Sequence, residues 1–438
     1  MRIPTLLLLL FVGIAAQASA QSRSLVRVIY ADSLVSRMQG DMQLRELVGR
    51  VRLEQENVVI TCDRALQNID RNTVDLEGNV VITQDTLVLR SRRGTYDGNT
   101  RTARTGDGIE IRDGHLTLRA DAGWYEADAK IAQFRSRVHV RDSSATITAG
   151  SLRYDRDSAR ATAWTDVQVH FSAERAVITG DSVIHFTERR HSFFPLRPRL
   201  WQIDTTVVRR DSLTGAADSV RLDTLFMAAT RMEAYRDTSN RFLAMGAVEM
   251  VRGALSARGE EARFLRNDSV LILRTMPIVW YEQNQLTGDS IAVGLSDGHV
   301  DYTHVTGSGF SASQSKPTAS DTLAPPGRYD QTSGKSIHIR FRNDNADRIV
   351  VDGTATSLYF LFDGRALNGV RRESGDRIII DFDDDGRADE IRTLGGVEGT
   401  YYPEKYVTGR ESDYNLEGMR WREDRPAMLP FPADPPAR

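Results

Sequence analysis

The chain has 438 residues, enough for two or three domains, and its 40% hydrophobic and 27% charged residues are typical of a globular protein. Its 57 basic and 60 acidic residues give a formal net charge of −3, so no overall positive field attracts nucleic acid and no such partner is expected. The single cysteine, Cys62, excludes a disulfide framework and a zinc site built on paired cysteines.

The first twenty residues have the pattern of a secretory signal peptide. Arg2 supplies a basic start, residues 6–11 form an apolar run, and Ala18-Ser19-Ala20 is a small-residue cleavage site. The apolar run is too short to span a bilayer comfortably. We therefore expect residues 1–20 to be cleaved and the mature protein to be exported and soluble.

A 29-residue period runs through the first half of the chain. Aliphatic anchors recur at this interval, at Val51, Val80, Ile109, Val138 and Val167. Further apolar residues follow each anchor after two and nine positions, and three repeats carry a tyrosine sixteen positions on, at Tyr96, Tyr125 and Tyr154. Because several positions keep one register, the pattern predicts a repeat architecture.

The local period within each repeat is two residues, as in Leu87-Val88-Leu89, which is the spacing of a strand with one buried face. Asp97-Gly98 after an alternating run is a hairpin signal. No proline occurs between Pro4 and Pro195, as expected for a continuous ladder, because proline cannot donate a backbone hydrogen bond. The sequence therefore predicts an all-β fold.

The period breaks after residue 186, and this break sets the predicted domains. A first β domain covers 24–186, and a connector or insertion covers 187–222, where prolines at 195 and 198 argue that residues 191–198 are not a ladder strand. A second β domain covers 223–305, a Gly/Ser/Pro-rich loop 306–334, and a third β region 335–425. The tail, 426–438, holds five prolines and is predicted to be disordered.

One acidic segment is a candidate calcium site. Carboxylates alternate in it as in short calcium loops, at Asp381, Asp383, Asp385 and Asp389. The alternative is an acidic hairpin turn, because the position that an EF-hand fills with glutamate is Arg392 here. No nucleophile elbow, phosphate loop or clustered histidine pair is present, so no catalytic residue is assigned, no cofactor is expected and the chain is predicted not to be an enzyme.

Several motifs resemble the OstA-like, or organic-solvent-tolerance, family, which is related to the periplasmic lipopolysaccharide-transport protein LptA. They are the anchors preceded by glycine, Gly49-x-Val51 and Gly78-x-Val80, the turn at residues 96–100, and the Ala31-Asp32-Ser33 opening. The resemblance implies an elongated, twisted β-jelly roll, or β-taco, of solenoid-like repeats. It also implies a periplasmic protein that shields the acyl chains of lipopolysaccharide, or a related amphiphile, and bridges their transport to the outer membrane.

A carrier of this kind needs a continuous apolar groove, because exposing a chain of about a dozen carbons to water costs roughly 10 kcal/mol. The inward positions of the repeats are the candidate groove, here called the aliphatic stripe: Val51, Leu53, Val80, Ile82, Leu89, Ile109, Ile111, Leu118, Val138, Val140, Ile147, Val167 and Val169. The alternative is a structural or adhesive β-solenoid in which the same residues form a packed core. In a bridge, the first and last strands would pair with other bridge proteins or with further copies of the chain.

Overall fold

The computed structural model describes residues 24–114, 116–210, 217–297, 299–317, 325, 327–342, 345–383 and 388–432, so the predicted signal peptide lies outside the described residues. The prediction of an all-β protein is confirmed, with 71% of residues in strands and 2% in helices. Every strand pairing with a described register is antiparallel, which settles a question that the repeat pattern left open. In this part of the chain no helix is long and apolar enough to cross a membrane.

The chain forms two compact units, which are described separately. The first comprises Met1–Arg104 with Glu126–Asp128, and the second comprises Thr105–Tyr125 with Ala129–Arg438. This division does not follow the predicted domain limits, because the repeats continue across it.

The first unit is built from antiparallel strands. They are β1 (Arg27–Tyr30), β2 (Ser33–Gln39), β3 (Met42–Gln55), β4 (Val58–Asn68), β5 (Thr73–Gln84) and β6 (Leu87–Asp97), followed by β7 (Thr102–Thr105). The strands β3 to β6 pair in chain order, while β1 and β2 both pair with β3.

The second unit contains the remaining strands and two short helical turns. The strands up to the break in the period are β8 (Ile109–Asp113), β9 (Leu116–Ala120), β10 (Ala122–Glu126), β11 (Ile131–Arg141), β12 (Thr146–Asp155), β13 (Arg160–Phe171) and β14 (Ala176–Phe186). Those that follow are β15 (His191–Phe194), β16 (Arg199–Arg210), β17 (Ala217–Ala228), β18 (Arg231–Tyr235), β19 (Arg241–Arg252), β20 (Leu255–Leu265), β21 (Val270–Arg274), β22 (Ile278–Tyr281), β23 (Asn284–Thr287) and β24 (Ser290–Ser296). The last are β25 (His299–Gln314), β26 (Tyr329–Arg342), β27 (Asn345–Asp363), β28 (Ala366–Phe382), β29 (Ala388–Leu394), β30 (Glu398–Pro403), α1 (Glu404–Val407) and a 3-10 turn (Glu411–Tyr414).

The long strands each contribute to two layers because their ladder is interrupted once, at a corner. The register shifts between Val48 and Val51, Glu77 and Val80, Arg135 and Val138, and Trp164 and Val167, so the interruption follows the 29-residue period. The part of these strands that carries the anchor belongs to what we call layer A, and the part on the other side of the corner to layer B. In the first unit, Leu53, Ile60, Ile82 and Leu89 are successive partners in layer A.

Two consecutive residues in the left-handed region form each corner. Gly49 and Arg50 have φ angles of 78° and 45°, and Gly78 and Asn79 have 76° and 44°. Left-handed backbone suits glycine, which explains why glycine precedes these anchors. A Cβ at Gly78 would also lie 2.4 Å from Oδ2 of Asp63, so this corner leaves no room for a side chain.

The region predicted to be a connector contains strands. Residues 191–194 form β15, which pairs with β14 and with β18, so the expectation that residues 191–198 contain no ladder strand is wrong. Pro195 and Pro198 lie just beyond β15, in the break before β16, where no ladder hydrogen bond is needed. The described part of the Gly/Ser/Pro-rich segment also contains strands, because β25 runs to Gln314 and β26 begins at Tyr329.

A C-terminal strap, residues 415–432, lies across the outer face of layer A in the second unit. Successive cross-strand partners form the row beneath it: Trp201, Phe226, Val251, Ser256, Trp280, Gln285, Ala312 and Gln331. The indole Nε1 of Trp280 donates to the carbonyl of Arg422 at 2.9 Å, and that of Trp201 to Leu429 at 3.1 Å. In the described part of the tail, 426–432, the predicted disorder is therefore wrong.

The corner glycines can be tested by comparing Gly78→Ala with Gly40→Ala. Both glycines have positive φ, but a Cβ at Gly40 meets nothing within 4 Å. We expect Gly40→Ala to cost about 1 kcal/mol of unfolding free energy, and Gly78→Ala roughly 1–3 kcal/mol more because Asp63 must move. Urea denaturation monitored by circular dichroism measures both, and equal losses would contradict a steric role for the corner.

Candidate functional site

The two layers are joined at the corners on one side. We call the opposite side, where the strands of layers A and B end, the seam. The residue four positions after each anchor lies there and is polar in four successive repeats: Gln55, Gln84, Asp113 and Asp142. Each of them contacts a residue 41 or 43 positions later in the chain. The seam is therefore closed by one tie per repeat.

The ties of the first unit are uncharged. The Tyr96 hydroxyl donates to Oε1 of Gln55 at 2.8 Å, and Nε2 of Gln55 donates to the carbonyl of Gly98 at 2.8 Å. Gln84 makes the equivalent contact with the carbonyl of Ala127 at 3.1 Å. Burial raises the pKa of Tyr96 to about 12, so its hydroxyl remains a donor at any physiological pH.

The next tie, in the second unit, is an ion pair. Nε of Arg156 lies 2.9 Å from Oδ2 of Asp113, and these side chains are 9% and 13% exposed. Arg156 also donates to the hydroxyl of Tyr125 at 3.0 Å, and the Tyr154 hydroxyl donates to Asp113 at 3.3 Å. Burial and the carboxylate of Asp113 both raise the pKa of Tyr154, which keeps this donor protonated.

The following tie joins three residue types that also occur in serine hydrolases. Nε2 of His185 lies 2.7 Å from Oδ2 of Asp142, and Nδ1 lies 2.9 Å from Oγ of Ser192. His185 and Ser192 are each 1% exposed, so no substrate reaches the serine in this structure. The arrangement therefore acts as a buried hydrogen-bonded link between the layers.

A mostly apolar cavity of about 410 Å³ lies between the two layers further along the second unit. Layer A lines it with Leu200, Met227, Met250, Val279 and Leu286. Layer B lines it with Phe242, Phe264, Leu271 and Val293. This volume is within the range of pockets that hold small ligands, roughly 300–1,000 Å³.

Polar residues also line the cavity, and one of them, Arg252, ends its strand at the seam. They include Gln202, Asp223, Arg252 and Arg266. Arg252 occupies the seam position, four residues after the anchor Val248, and Nη2 of Arg266 donates to Oε1 of Gln202 at 3.0 Å. The cavity therefore has apolar walls and a charged end, the distribution that an amphiphile requires.

The aliphatic stripe lies on the inner faces of the repeats, as its two-residue period predicts. All thirteen of its residues are 4% exposed or less. None of them lines the 410 Å³ cavity. In this structure the stripe is therefore covered by protein, and its role in lipid binding stays a prediction.

The calcium prediction also stays a prediction. Asp381 forms ion pairs with Arg348 and with Arg392, the latter at 2.7 Å, and the Arg348 contact lowers its pKa. Asp385 lies outside the described residues. Among the residues that the structure does describe, no three His, Cys, Asp or Glu side chains lie close enough together to hold a metal ion.

The sequence pattern predicted neither the ties nor the cavity. A signal for the ties was present, because a polar residue recurs at the last position of the alternating run in four repeats. No comparable signal exists for the cavity. The repeat around Val248 is visible in the sequence, but the distance between the layers depends on side chains that are far apart in the sequence.

The fold is that of an antiparallel, two-layer β protein built from repeats, with an apolar interior closed at a polar seam. Residues 23–121 match the family model described as OstA-like protein, so the resemblance to that family is confirmed over this segment. The match includes the first three anchors, Val51, Val80 and Ile109, and ends before the residues that line the cavity.

A solved structure is similar to part of the chain. It is LptH of Pseudomonas aeruginosa, described as the LptA-homologous periplasmic component of the conserved lipopolysaccharide transport device. The two sequences are 14% identical, and the match covers 34% of this chain and 95% of LptH with a TM-score of 0.26. No curated protein matches the chain.

The tie at Asp142 predicts a pH dependence of stability. Burial alone would raise the pKa of Asp142, but His185 and the N–H groups of Ser144 and Ala145 outweigh it and lower the pKa to about 2. Because the folded pKa lies below the unfolded one, the tie stabilises the fold above about pH 4 and is lost as the pH falls through about 2. Asp142→Asn should therefore cost about 1–2 kcal/mol at pH 7 and almost nothing near pH 2.

Urea denaturation between pH 2 and 7 measures this difference. Asp157→Asn is the matched control, because Asp157 pairs with Lys130 at an exposed position and its loss should cost less than about 1 kcal/mol. A difference between Asp142→Asn and the unmodified protein that did not change with pH would contradict the assignment.

Proposed function

We propose that this protein is an exported, periplasmic lipid-binding protein that shields the acyl chains of lipopolysaccharide and bridges their transport to the outer membrane. The observation that carries the proposal is the 410 Å³ cavity, whose walls are apolar and whose charged residues lie at the seam. An acyl chain between the layers would be removed from water while its polar part stayed at the seam. Burying about a dozen methylenes in this way is worth roughly 10 kcal/mol.

In the second unit, the residues of the aliphatic stripe would extend this path through the neighbouring repeats. Its residues are covered at present, so chains could enter only if the layers separated at the seam and the ties opened. The uncharged ties at Gln55 and Gln84 are hydrogen bonds of about 1 kcal/mol each, a small cost beside the burial of a chain. Because the ties are the weakest closure of the interior, we expect a lipid to enter at the seam.

A second candidate is a structural or adhesive β-solenoid without lipid cargo. The near-complete burial of the stripe favours it, since a packed core would look the same. The cavity separates the two candidates, because a solely structural core gains nothing from an unfilled volume that reduces packing.

Photocrosslinking tests the lipid proposal directly. Benzoylphenylalanine at Phe264 would line the cavity, at Ile82 it would lie in the stripe, and at Trp164, which is 40% exposed, it serves as the surface control. After irradiation of protein exported in a Gram-negative host, mass spectrometry should find an acyl-chain adduct at Phe264 and none at Trp164. An adduct at Ile82 would extend the site to the stripe, whereas no adduct at Phe264 would favour the structural candidate.

The terminal strands are the proposed contacts with neighbouring bridge proteins or further copies. At the N-terminal edge, Leu34 and Met38 on β2 are 49% and 66% exposed. At the C-terminal edge, β29 exposes Ile391 and Leu394, at 39% and 47%. Open edges with exposed apolar residues are templates for strand addition unless they are blocked.

Lysines on the edge test this pairing. We expect Leu34→Lys with Met38→Lys to abolish concentration-dependent association in sedimentation velocity, because charged edge residues oppose strand addition. Met276→Lys, at a corner and 79% exposed, is the control that should associate as the unmodified protein does. Association unchanged by the edge lysines would refute the pairing.

A further inference from the structure

We propose that the end of the C-terminal strap, residues 423–432, is a latch that controls the exchange of ligand between the 410 Å³ cavity and water. We call this segment the distal strap. While it is docked on layer A it holds the strands of the cavity wall together at the seam, and when it leaves, their ends can move away from layer B. This inference rests on the proposed function and adds a device that regulates the same site.

The row beneath the strap is the back of the cavity wall. In six strands of layer A, the row residue has at least one chain neighbour that lines the cavity, and these row residues are Trp201, Phe226, Val251, Ser256, Trp280 and Gln285. Trp201, for example, lies between Leu200 and Gln202, which both line the cavity. Since successive residues of a strand point to opposite faces, the strap and a ligand in the cavity would contact opposite sides of one wall.

The same row changes its character where the strap covers it. Across the strands that precede the cavity, its side chains are polar and are exposed or half-buried: Arg112, Thr117, Arg141, Thr146 and His170. The row continues through Val177 to Trp201 and Phe226, and these last two are only 4% and 2% exposed. Large aromatic side chains on an outer face need a cover, so this part of the face is built to receive the strap.

The first half of the strap, residues 415–422, is anchored beyond the cavity. Leu416 is 4% exposed and belongs to a hydrophobic cluster of the second unit. Its N–H donates to Oε1 of Gln331 at 2.9 Å. The ring of Trp421 packs against that of Tyr329, with their centroids 4.8 Å apart. These contacts would keep the strap attached to the protein when the distal strap leaves.

The distal strap is held more weakly. Leu429 and Phe431 are 37% and 42% exposed. The carbonyl of Leu429 accepts from Nε1 of Trp201 at 3.1 Å, and the ring of Phe431 lies 6.3 Å from that of Trp201. Asp424 pairs with Arg258, and these side chains are 45% and 31% exposed. Because a single neutral hydrogen bond and an exposed ion pair each contribute little, this half can leave while the other half stays.

The strap binds close to the strand ends that must move when the seam opens. Val251 immediately precedes Arg252, the last residue of β19, and Trp280 immediately precedes Tyr281, the last residue of β22. A segment bound across several such ends opposes their separation from layer B. A barrier on the path slows entry and exit alike, so releasing the latch should change the rates of exchange more than the affinity.

The experiment follows phenylnaphthylamine, an uncharged apolar probe that becomes fluorescent out of water, by stopped flow with the mature chain after removal of bound lipid. Asp424→Lys with Phe431→Ser releases the latch, because it reverses the charge that faces Arg258 and removes the ring that contacts Trp201. Deletion of residues 423–438 is a second release variant. We expect both variants to bind and lose the probe roughly tenfold faster, with a change in Kd of less than about threefold.

The matched control is Glu423→Lys with Met428→Ser, which introduces the same two residues at exposed positions of the distal strap. Its rates should stay within about twofold of those of the unmodified protein. Fluorine NMR of protein labelled with fluorotryptophan reports the position of the strap independently. The Trp201 resonance, assigned from Trp201→Phe, should show solvent exposure in the release variants and none in the control.

Val293→Phe locates the probe, because Val293 lines the cavity and a larger side chain there fills part of it. It should abolish the fluorescence signal both in the unmodified chain and in the release variants. A signal that persisted in the release variants would come from the uncovered outer face and would overturn the latch.

The remaining outcomes separate the latch from the proposed function. If the probe does not bind the unmodified protein, the proposed function fails and the latch fails with it. If the probe binds but leaves the release variants at the unmodified rate, the proposed function stands and the latch is overturned. Equal acceleration in the control would also overturn it. If the double substitution does not fold or leaves the strap docked, the deletion decides, and if neither variant folds, the strap is a structural element and the latch is overturned.

Discussion

The whole architecture depends on one backbone constraint, the pair of left-handed residues at each corner. A strand that continued straight would form part of a single sheet with one face in water. Two successive positive φ angles, as at Gly78 and Asn79, bend the strand and shift its register, so the same strand contributes to layers A and B. Because the corners recur every 29 residues, the layers stay opposed through successive repeats within each unit and enclose an apolar interior there.

That interior is closed at the seam by contacts whose strength varies along the chain. Amide ties at Gln55 and Gln84 are weak and neutral, while Asp113 with Arg156 is a buried ion pair and the carboxylate of Asp142 is buried against His185. Removing one partner of a buried pair leaves an uncompensated charge, so these two repeats resist opening most.

The strap adds a second closure on the outer face of layer A. Gln285 donates to the carbonyl of Arg420 at 2.6 Å and accepts from the N–H of Arg422 at 2.9 Å. Residues on one face of β22 and β23 line the cavity, and their neighbours on the other face, Trp280 and Gln285, hold the strap. The wall of the cavity is therefore fixed from outside by a segment more than a hundred residues later in the chain.

The sequence by itself determined the strands, the 29-residue repeat, the inward stripe and the glycine corners, because each of these depends on residues within one or two repeats. Val51 and Ile82 are buried since alternation places them on the inner face whatever their partners. The predictions from proline were wrong for residues 191–194, which form a paired strand, and for residues 426–432, which pack on layer A. Proline ends regular structure at its own position but does not prevent its neighbours from pairing or packing.

Only the tertiary structure decided where the interior is filled and where a cavity remains. The distance between layers A and B is set by side chains such as Met250 and Val293, which come from different strands and meet only after folding. The same holds for the strap, whose partners in layer A lie 84 to 228 residues away. Periodicity fixes which face a residue takes, but the volume between two faces depends on how both pack, and no local pattern contains that information.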